Sequence, residues 1–262
     1  VRAGHRIGAV WSRQPASAQA VAAPLGAVAL HGPAPDLRLA PPADLYLLAV
    51  PDDAAAGVVT TAQWPVGALV AHTSGALPLA LFAAQPAVRG AVFYPLQTFS
   101  PGRIIDWPTV PLCLEAADAA DLPALQGVAA SLSQRVLLVD TPARRQLHVA
   151  AVFASNFTNH LLGIADALLA EARLPADLLL PLVRETVDKA LHNPPFQVQT
   201  GPAIRRDAAT IATHAAALAP HPRWQALYTQ LTASIQATAE PGQAATELPP
   251  PAGTNQPPVS PA

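Results

Sequence analysis

The chain has no methionine and a single cysteine, Cys113, among its 262 residues. One cysteine excludes an internal disulfide framework and a metal site built from several cysteines. A chain without disulfides is typical of a reducing compartment, so we expect a cytoplasmic location. Position 1 is Val rather than Met, which indicates either a non-standard start codon or a chain that lacks its first residues.

Charge is also scarce, and long apolar runs are absent. Charged residues make up 12% of the chain, hydrophobic residues 51%, and the net charge is −2. Without a basic patch the sequence gives no support for nucleic-acid binding. No run of eighteen apolar residues occurs, so we expect no membrane partner, and the N-terminal residues lack the apolar region of a signal peptide. The composition instead predicts a protein with a sizeable core and a lightly charged surface.

Short apolar segments alternate with helical segments over residues 1–141. This alternation is typical of an α/β doubly wound, parallel sheet of the Rossmann-like type, and we expect residues 1–141 to form a nucleotide-binding domain. The segment 44–50 is continuously apolar, as in a parallel strand that is covered on both faces. We predict strands over residues 6–11, 26–30, 44–50, 67–71, 90–94, 111–115 and 135–140, and helices over residues 15–25, 54–63, 77–84 and 117–133.

No strand pattern occurs after residue 142. Helical periodicity predicts helices over residues 141–173, 176–192, 202–218 and 222–235, so we expect an all-α domain over residues 142–236. Residues 237–262 are rich in Pro, Ala and Thr and predict a disordered tail.

Residues 141–173 predict one long helix of roughly 45–50 Å. Thr141 suits the N-cap position and Pro142 the first helical position. Its residues are apolar on most sides, so we expect burial nearly all round. His148, Ser155 and Asn159 interrupt the apolar run at spacings of seven and four, which puts them on one helical face. Such a stripe faces either a cleft or a hydrogen-bonded structural network.

Ligands of doubly wound sheets bind beyond the carboxyl ends of the strands. Ser12 and Arg13 follow a predicted strand where a dinucleotide-binding domain meets the adenosine ribose. Arg13 offers a fork of donors suited to a 2′-phosphate, which favours NADP, although an ordinary surface arginine fits equally well. A second such segment, Val50, Pro51 and Asp52, either packs against a cofactor pyrophosphate or begins a helix.

Two further polar segments follow predicted strands: residues 72–75 (HTSG), which include Thr73 and Ser74, and Gln97 with Thr98. No Gly-x-Ser-x-Gly nucleophile motif accompanies the first, which argues against a hydrolase. The Gly-x-Gly-x-x-Gly fingerprint of dinucleotide-binding domains is absent, as in a chain that starts late or one that binds no nucleotide. The eight histidines show no metal-ligand spacing, so no metal site is predicted.

Arg205, Arg206 and Asp207 stand at the start of the helix predicted over residues 202–218. Two arginines there oppose the helix dipole, and a nearby anion would favour them. A solvated arginine pair with Asp207 as its partner is the alternative.

Four of these segments, LHVAAVFASNFTN, PLQTFS, HTSGAL and TGPAIRRDAATIATH, occur in an order that resembles proteins carrying domain of unknown function 2520. These proteins are NADP-dependent oxidoreductase candidates, similar in layout to pyrroline-5-carboxylate reductase and to the 6-phosphogluconate and 3-hydroxyacid dehydrogenases. The resemblance implies a Rossmann-like domain followed by a helical domain that forms a homodimer, with a small-molecule substrate in the cleft between the domains. Members commonly carry His where this chain has Tyr94, and the first strand with its glycine-rich loop is missing here.

Carried over to this chain, the resemblance implies three sets of site residues. The cofactor-binding set is Ser12, Arg13, Val50, Pro51, Asp52, Thr73 and Ser74. The expected catalytic set is His148, Ser155 and Asn159. The expected substrate-contacting set is Gln97, Thr98, Asn156, Arg206 and Asp207.

The sequence therefore predicts an NADP-dependent oxidoreductase for a small polar substrate, an imine or a hydroxy acid. His148 is the expected proton donor, because histidine is the side chain whose ordinary pKa lies nearest neutrality. The alternative is a non-catalytic dimeric nucleotide-binding or interaction protein that has lost cofactor binding along with its glycine-rich loop.

Overall fold

A computed structural model describes residues 3–100 and 102–239 of the chain. The chain divides into two compact units, Val1–Asn159 and His160–Ala262. The predicted domain boundary between residues 141 and 142 lies at the start of the long helix, whereas the two units divide after Asn159, within that helix. The assignment of separate functions to the two predicted domains stays a prediction. The tail predicted over residues 237–262 lies outside the described residues from position 240 onward.

The first unit begins with a small parallel sheet of two strands. Strands β1 (Ala9–Ser12) and β2 (Val28–His31) pair with Ala9 opposite Val28. Helix α1 (Pro15–Ala22) and one 3₁₀ turn connect them. Gly26 follows the turn with a φ of +62°, a conformation that glycine adopts without strain. The βαβ unit that the sequence predicted here is confirmed, with strand bounds shifted by one to three residues.

A separate sheet of five strands forms the body of the first unit, in the order β3-β4-β5-β6-β7. Helix α2 (Asp52–Thr61) connects β3 to β4, and a 3₁₀ helix over Leu79–Ala84 connects β4 to β5. Strands β3, β4 and β5 pair in parallel. The strands are Tyr46–Leu48, Ala68–His72, Val88–Pro95, Leu112–Ala116 and Val136–Leu138.

The architecture is Rossmann-like, but the sheet is not parallel throughout. Strand β6 pairs antiparallel with β5, and β7 pairs in parallel with β6, so the last two strands run opposite to the first three. A parallel connection needs a crossover of a dozen or more residues, usually a helix. The described part of the link from β5 to β6 contains only the 3₁₀ turn Trp107–Thr109, so the chain turns back instead. The predicted doubly wound, Rossmann-like fold is confirmed, and the pairing of β6 with β5 is an antiparallel exception in a sheet dominated by parallel pairs.

Alternate residues of β5 face two different parts of the core. Ala91 and Phe93 pack with Leu112 and Leu114 of β6 against helix α3 (Leu122–Ala130). Val92 and Tyr94 lie on the other face, in a cluster with Cys113 and Leu147. This alternation brings the Tyr94 side chain to the face of the sheet on which the long helix packs.

The predicted long helix is present and runs without a break from Thr141 to Glu171. It consists of α4 (Thr141–Ala151), a π-helical segment (Val152–Phe157) and α5 (Thr158–Glu171). The N-cap is Asp140 rather than the predicted Thr141, because the Asp140 carboxylate accepts the backbone N–H of Ala143 at 2.9 Å. π-helical turns are rare and occur frequently at functional sites.

The expectation that this helix is buried nearly all round is wrong. Phe153 is 65% exposed and Phe157 48%, and apolar residues before and after the π-helical segment are also exposed. The composition of the helix showed that its surface is apolar. It could not show whether another part of the chain covers that surface.

Helices make up the described part of the second unit. Helix α6 (Leu180–His192) follows a 3₁₀ turn over Ala176–Leu179, and α7 (Ala208–Ala217) and α8 (Pro222–Thr238) complete it. Helix α7 begins six residues later than predicted. Asp207 is its N-cap and accepts the backbone N–H of Thr210 at 3.1 Å. Arg205 and Arg206 therefore precede the helix instead of lying in its first turns, and Arg206 has a φ of +52°.

No helix within residues 3–100 and 102–239 is long and apolar enough to cross a membrane.

Candidate functional site

Four of the residues predicted to bind a cofactor line one cavity of about 480 Å³. Ser12 and Arg13 reach it from the carboxyl end of β1, and Val50 and Pro51 from the end of β3. The rest of the lining is Trp11, Pro33, Ala49 and the residues of α2 Ala54, Gly57, Val58 and Thr61. The fold therefore brings together two segments that are far apart in the sequence, at the ends of strands.

A second cavity, of about 500 Å³, adjoins the same side chains. Ser12, Arg13, Gln14 and Ser17 line it, at the start of α1. Arg13 is exposed and thus solvated, and its guanidinium provides planar donors in the geometry that a phosphate accepts. The hydroxyls of Ser12 and Ser17 add further donors, so this part of the surface suits an anion with several oxygen atoms.

The polar turn after β4 contains the next predicted residues. The Ser74 hydroxyl donates to Asp52 Oδ2 at 2.8 Å and accepts the backbone N–H groups of Ala76 and Leu77 at 3.0 and 3.1 Å. Thr73 Oγ1 donates to the carbonyl of Leu48 at 3.2 Å. Asp52 is not the N-cap of α2, a position that Pro51 occupies. Asp52, Thr73 and Ser74 thus form a hydrogen-bonded link between the carboxyl ends of β3 and β4.

Arg144 of α4, which the sequence did not mark as a site residue, fixes this turn by hydrogen bonds to its backbone. Its side chain is fully buried. Nη1 donates to the carbonyl oxygens of Ser74, Gly75 and Leu77 at 3.0, 3.2 and 2.8 Å, and Nη2 donates to Glu115 Oε2 and Thr141 Oγ1 at 3.2 and 3.1 Å. The guanidinium thereby satisfies three backbone acceptors that would otherwise lie next to the core. The one signal in the sequence was its spacing of four from His148, which places both on one helical face.

His72 is the last residue of β4 and is also buried. Its Nδ1 accepts the backbone N–H of Ser74 at 3.2 Å, which orients the start of the turn. Burial, with a smaller contribution from the nearby Arg144 charge, lowers the pKa of His72 to about 4. The ring is therefore neutral at pH 7 and acts as a fixed acceptor beneath the turn.

His148, the predicted proton donor, lies one helical turn beyond Arg144 and is partly buried. Its Nδ1 lies 3.3 Å from the hydroxyl of Tyr94, and the two rings meet edge to face with centroids 6.1 Å apart. Gly75 lies directly against the same ring, because a Cβ added to it would fall 2.5 Å from His148 Nδ1. Three elements thus converge on His148: the turn after β4, the end of β5 and helix α4.

Tyr94 is the second residue that the sequence analysis missed as part of the site. It was noted only as a departure from the His that the resembling proteins commonly carry. Burial raises the pKa of the Tyr94 phenol, so the hydroxyl keeps its proton at neutral pH. The alternation of β5 was the available signal, since it places Tyr94 and Val92 on one face of the sheet.

The other predicted catalytic and substrate residues of the first unit lie apart from these hydrogen bonds. Ser155 is half-buried on the π-helical segment, and Asn156 and Asn159 are exposed. A π-helical turn contains more residues than an α-helical one, so the spacing argument for a face shared with His148 does not extend across it. Gln97 and Thr98 follow β5 and are exposed, with Gln97 Oε1 accepting the Thr98 backbone N–H at 2.8 Å. Their roles stay predictions.

Arg206 and Asp207 belong to the second unit. The Asp207 carboxylate accepts both the backbone N–H and the hydroxyl of Thr210, at 3.1 and 2.7 Å, and these hydrogen bonds lower the pKa of Asp207. In the structure Asp207 therefore caps the N-terminus of α7, and a contact between Asp207 and a substrate stays a prediction. Within the described residues no group of three or more His, Cys, Asp or Glu side chains is placed to hold a metal ion.

Comparison with known proteins places this geometry in a family. The model described as Domain of unknown function (DUF2520) matches residues 110–235. A "putative NADP oxidoreductase" from Bacteroides fragilis is 38% identical, over 90% of this chain and 90% of its own, with a TM-score of 0.77. No curated protein matches the chain.

More distant structures share the fold alone. A protein from Thermotoga maritima is 22% identical over 90% of this chain and 92% of its own, with a TM-score of 0.72. An imine reductase from Myxococcus stipitatus, solved in complex with NADP+, is 16% identical over 90% of this chain and 87% of its own, with a TM-score of 0.62. The identity to the Bacteroides protein and the matching family model agree, and the chain belongs to the family that carries domain of unknown function 2520.

Proposed function

We propose that this chain is an NADP-dependent oxidoreductase that acts on a small polar substrate containing a C=N or C=O group. The observation that carries the proposal is the cavity that Ser12 and Arg13 share with Val50 and Pro51. The 38% identity to the Bacteroides protein and the fold shared with an imine reductase support the same cofactor and reaction class.

The residues present fit the adenosine end of NADP. A guanidinium and a hydroxyl at the carboxyl end of β1 match the charge and the acceptor geometry of a 2′-phosphate. Val50 and Pro51 would contact the cofactor through apolar surface, and Asp52, Thr73 and Ser74 would shape the neighbouring turn. The cofactor supplies the hydride when it is bound. The chain's own side chains would orient the substrate and hold the proton that His148 donates.

A cofactor titration tests this proposal. Wild-type protein is expected to bind NADPH more tightly than NADH, measured by the change in cofactor fluorescence. Arg13→Ala removes the charge-assisted hydrogen bonds to the 2′-phosphate, so the Kd for NADPH should rise by about 10- to 100-fold, corresponding to roughly 1.5–3 kcal/mol. The Kd for NADH should stay within about twofold, because NADH has no phosphate at that position.

Arg6→Ala is the matched control, since Arg6 is exposed and lies outside the lining of both cavities. It should leave both dissociation constants unchanged. Equal binding of NADPH and NADH by the wild type would contradict the assignment of Arg13. Binding of neither dinucleotide would favour the second function, a non-catalytic nucleotide-binding or interaction protein that has lost cofactor binding.

The second unit is proposed to form the homodimer. Many large apolar side chains of its helices are exposed in the single chain, among them Leu182 at 63% and Leu191 at 78%. Extended apolar surface on a folded chain marks an interaction site more often than a monomer surface.

A cytoplasmic location, the other expectation carried over from the sequence, stays part of this proposal.

A charge within this surface should separate the subunits. We expect Leu191→Glu to raise the dimer Kd by about 100-fold or more, because a carboxylate would be buried unpaired at the interface. Sedimentation equilibrium measures the change. Leu39→Glu is the control, since Leu39 is 75% exposed in the first unit and should leave the dimer intact. A monomeric wild type would contradict the proposal.

A further inference from the structure

The pair formed by Tyr94 and His148 has a chemical consequence beyond holding a ring in place. We propose that Tyr94 is the positioning residue for His148 and fixes its neutral ring in the tautomer that carries the proton on Nε2. The substrate would then always meet an N–H donor. The inference rests on the proposed function only for the identity of the substrate, because the tautomer is a property of the protein alone.

The first step concerns the hydroxyl proton of Tyr94. Tyr94 is 8% exposed, and within the described residues its hydroxyl has no hydrogen-bond partner other than His148 Nδ1. If Nδ1 carried the proton and donated it to the phenol oxygen, the hydroxyl hydrogen would lie nearly buried without an acceptor. An unpaired polar hydrogen in such a place costs free energy. The favoured arrangement is a hydroxyl that donates to a bare Nδ1, which leaves the ring proton on Nε2.

The second step concerns the other side of the ring. In residues 3–100 and 102–239, His148 Nε2 has no hydrogen-bond partner. Unlike the unpaired polar atoms that are fully buried, this nitrogen is not enclosed by the protein. It therefore keeps some exposure to solvent. In the neutral ring Nε2 carries its proton because Tyr94 occupies Nδ1. In the protonated ring both nitrogens carry protons, and the phenol oxygen accepts from Nδ1 instead.

Gly75 completes the arrangement. A Cβ at this position would lie 2.5 Å from His148 Nδ1, 2.7 Å from His148 Cγ and 2.9 Å from Tyr94 Cζ. Only glycine leaves room for the ring to reach the hydroxyl. Arg144 donates to the Gly75 carbonyl and so fixes the backbone against which the ring packs. His148, Tyr94 and Gly75 thus form one unit, in which the hydroxyl sets the tautomer and the glycine sets the position.

Ring tautomers are measured directly by long-range ¹⁵N–¹H correlation spectra of protein labelled at histidine nitrogen. The His148 signals are identified by their loss in His148→Gln. We expect the neutral ring of wild-type His148 to show a protonated Nε2 and an unprotonated Nδ1. Tyr94→Phe removes the donor, so the fraction of rings with a protonated Nδ1 should rise above the wild-type value. Gly75→Ala should produce the same shift by displacing the ring.

The second unit offers a matched control. Tyr228 lies against His214 in the same way, with its hydroxyl 3.0 Å from Nδ1 and ring centroids 5.8 Å apart. Tyr228→Phe should change the His214 signals and leave those of His148 unchanged. Gly127→Ala, at a helix position where an added Cβ meets nothing within 4 Å, controls for a glycine substitution as such. The far-ultraviolet circular dichroism of each variant reports whether it folds.

A wild-type ring protonated on Nδ1, or a Tyr94→Phe ring with the wild-type tautomer, would overturn the inference. The NADPH titration is a separate readout. If wild-type protein shows the expected tautomer but binds no dinucleotide, the proposed function fails and the role of Tyr94 stands. If it binds NADPH but shows the other tautomer, the proposed role of Tyr94 fails and the proposed function stands.

Discussion

Replacing Arg144 by methionine is expected to lower the free energy of unfolding by about 3–5 kcal/mol. The guanidinium is fully buried and donates to three backbone carbonyls of the turn after β4, as well as to Glu115 and Thr141. Methionine has a similar length but no donor. The three carbonyls and the Glu115 carboxylate would then lie beside the core without their strongest partner. Urea unfolding followed by tryptophan fluorescence measures the loss.

The adjacent Arg145 is the control for this substitution. It is exposed, and among the described residues its guanidinium makes one hydrogen bond, which Nε donates to the carbonyl of Ala76 at 2.9 Å. Arg145→Met should cost about 1 kcal/mol or less. The double variant Arg144→Met with Glu115→Gln should recover part of the loss, since the carboxylate left without its cation is then neutral. Equal effects of the two arginine substitutions would show that the buried network does not stabilise the turn.

Replacing His72 by asparagine is expected to remove a large part of the acid sensitivity of the fold. Burial lowers the pKa of His72 to about 4, below the ordinary histidine value of 6.5. Between those two pH values the unfolded chain binds a proton that the folded chain does not bind. Stability therefore falls as the pH drops from 6.5 to 4, by about 3 kcal/mol from this residue alone. The side-chain oxygen of an asparagine in this place could still accept the Ser74 backbone N–H, and its amide does not titrate.

The measurement is the free energy of unfolding at pH 7.5, 5.5 and 4. We expect the wild type to lose about 3 kcal/mol more than His72→Asn over this range. His31→Asn, at the exposed end of β2, is the control and should follow the wild type. Parallel curves for the wild type and His72→Asn would mean that His72 is protonated in the folded protein near its ordinary pKa.

Local chemistry in the sequence determined most of the elements of this fold. The apolar run at 44–50 marked β3, and Pro15 marked the start of α1. Ser12 with Arg13 and Val50 with Pro51 each follow a predicted strand directly, and the structure brings both segments to one cavity. These predictions depend on periodicity, caps and turn residues, which act over a few positions along the chain.

Errors arose where a local rule had two solutions. Thr141 and Asp140 are both good N-cap residues, and only the structure shows that the Asp140 carboxylate accepts the backbone N–H of Ala143. Similarly, Asp207 competed with Pro202 for the start of α7 and became the cap. The antiparallel direction of β6 could not be predicted, because an apolar run has the same pattern in either strand direction.

The sequence by itself thus determined the order of strands and helices along the chain and the apolar faces of the sheet. Only the tertiary structure decided that Arg144 is buried while Arg145 is exposed, and that Tyr94 meets His148. Arg144 binds carbonyls about 70 positions away, and Tyr94 lies 54 positions from His148. No local pattern encodes such a distance, because the partners become neighbours only when α4 packs across β5 and beneath the turn after β4.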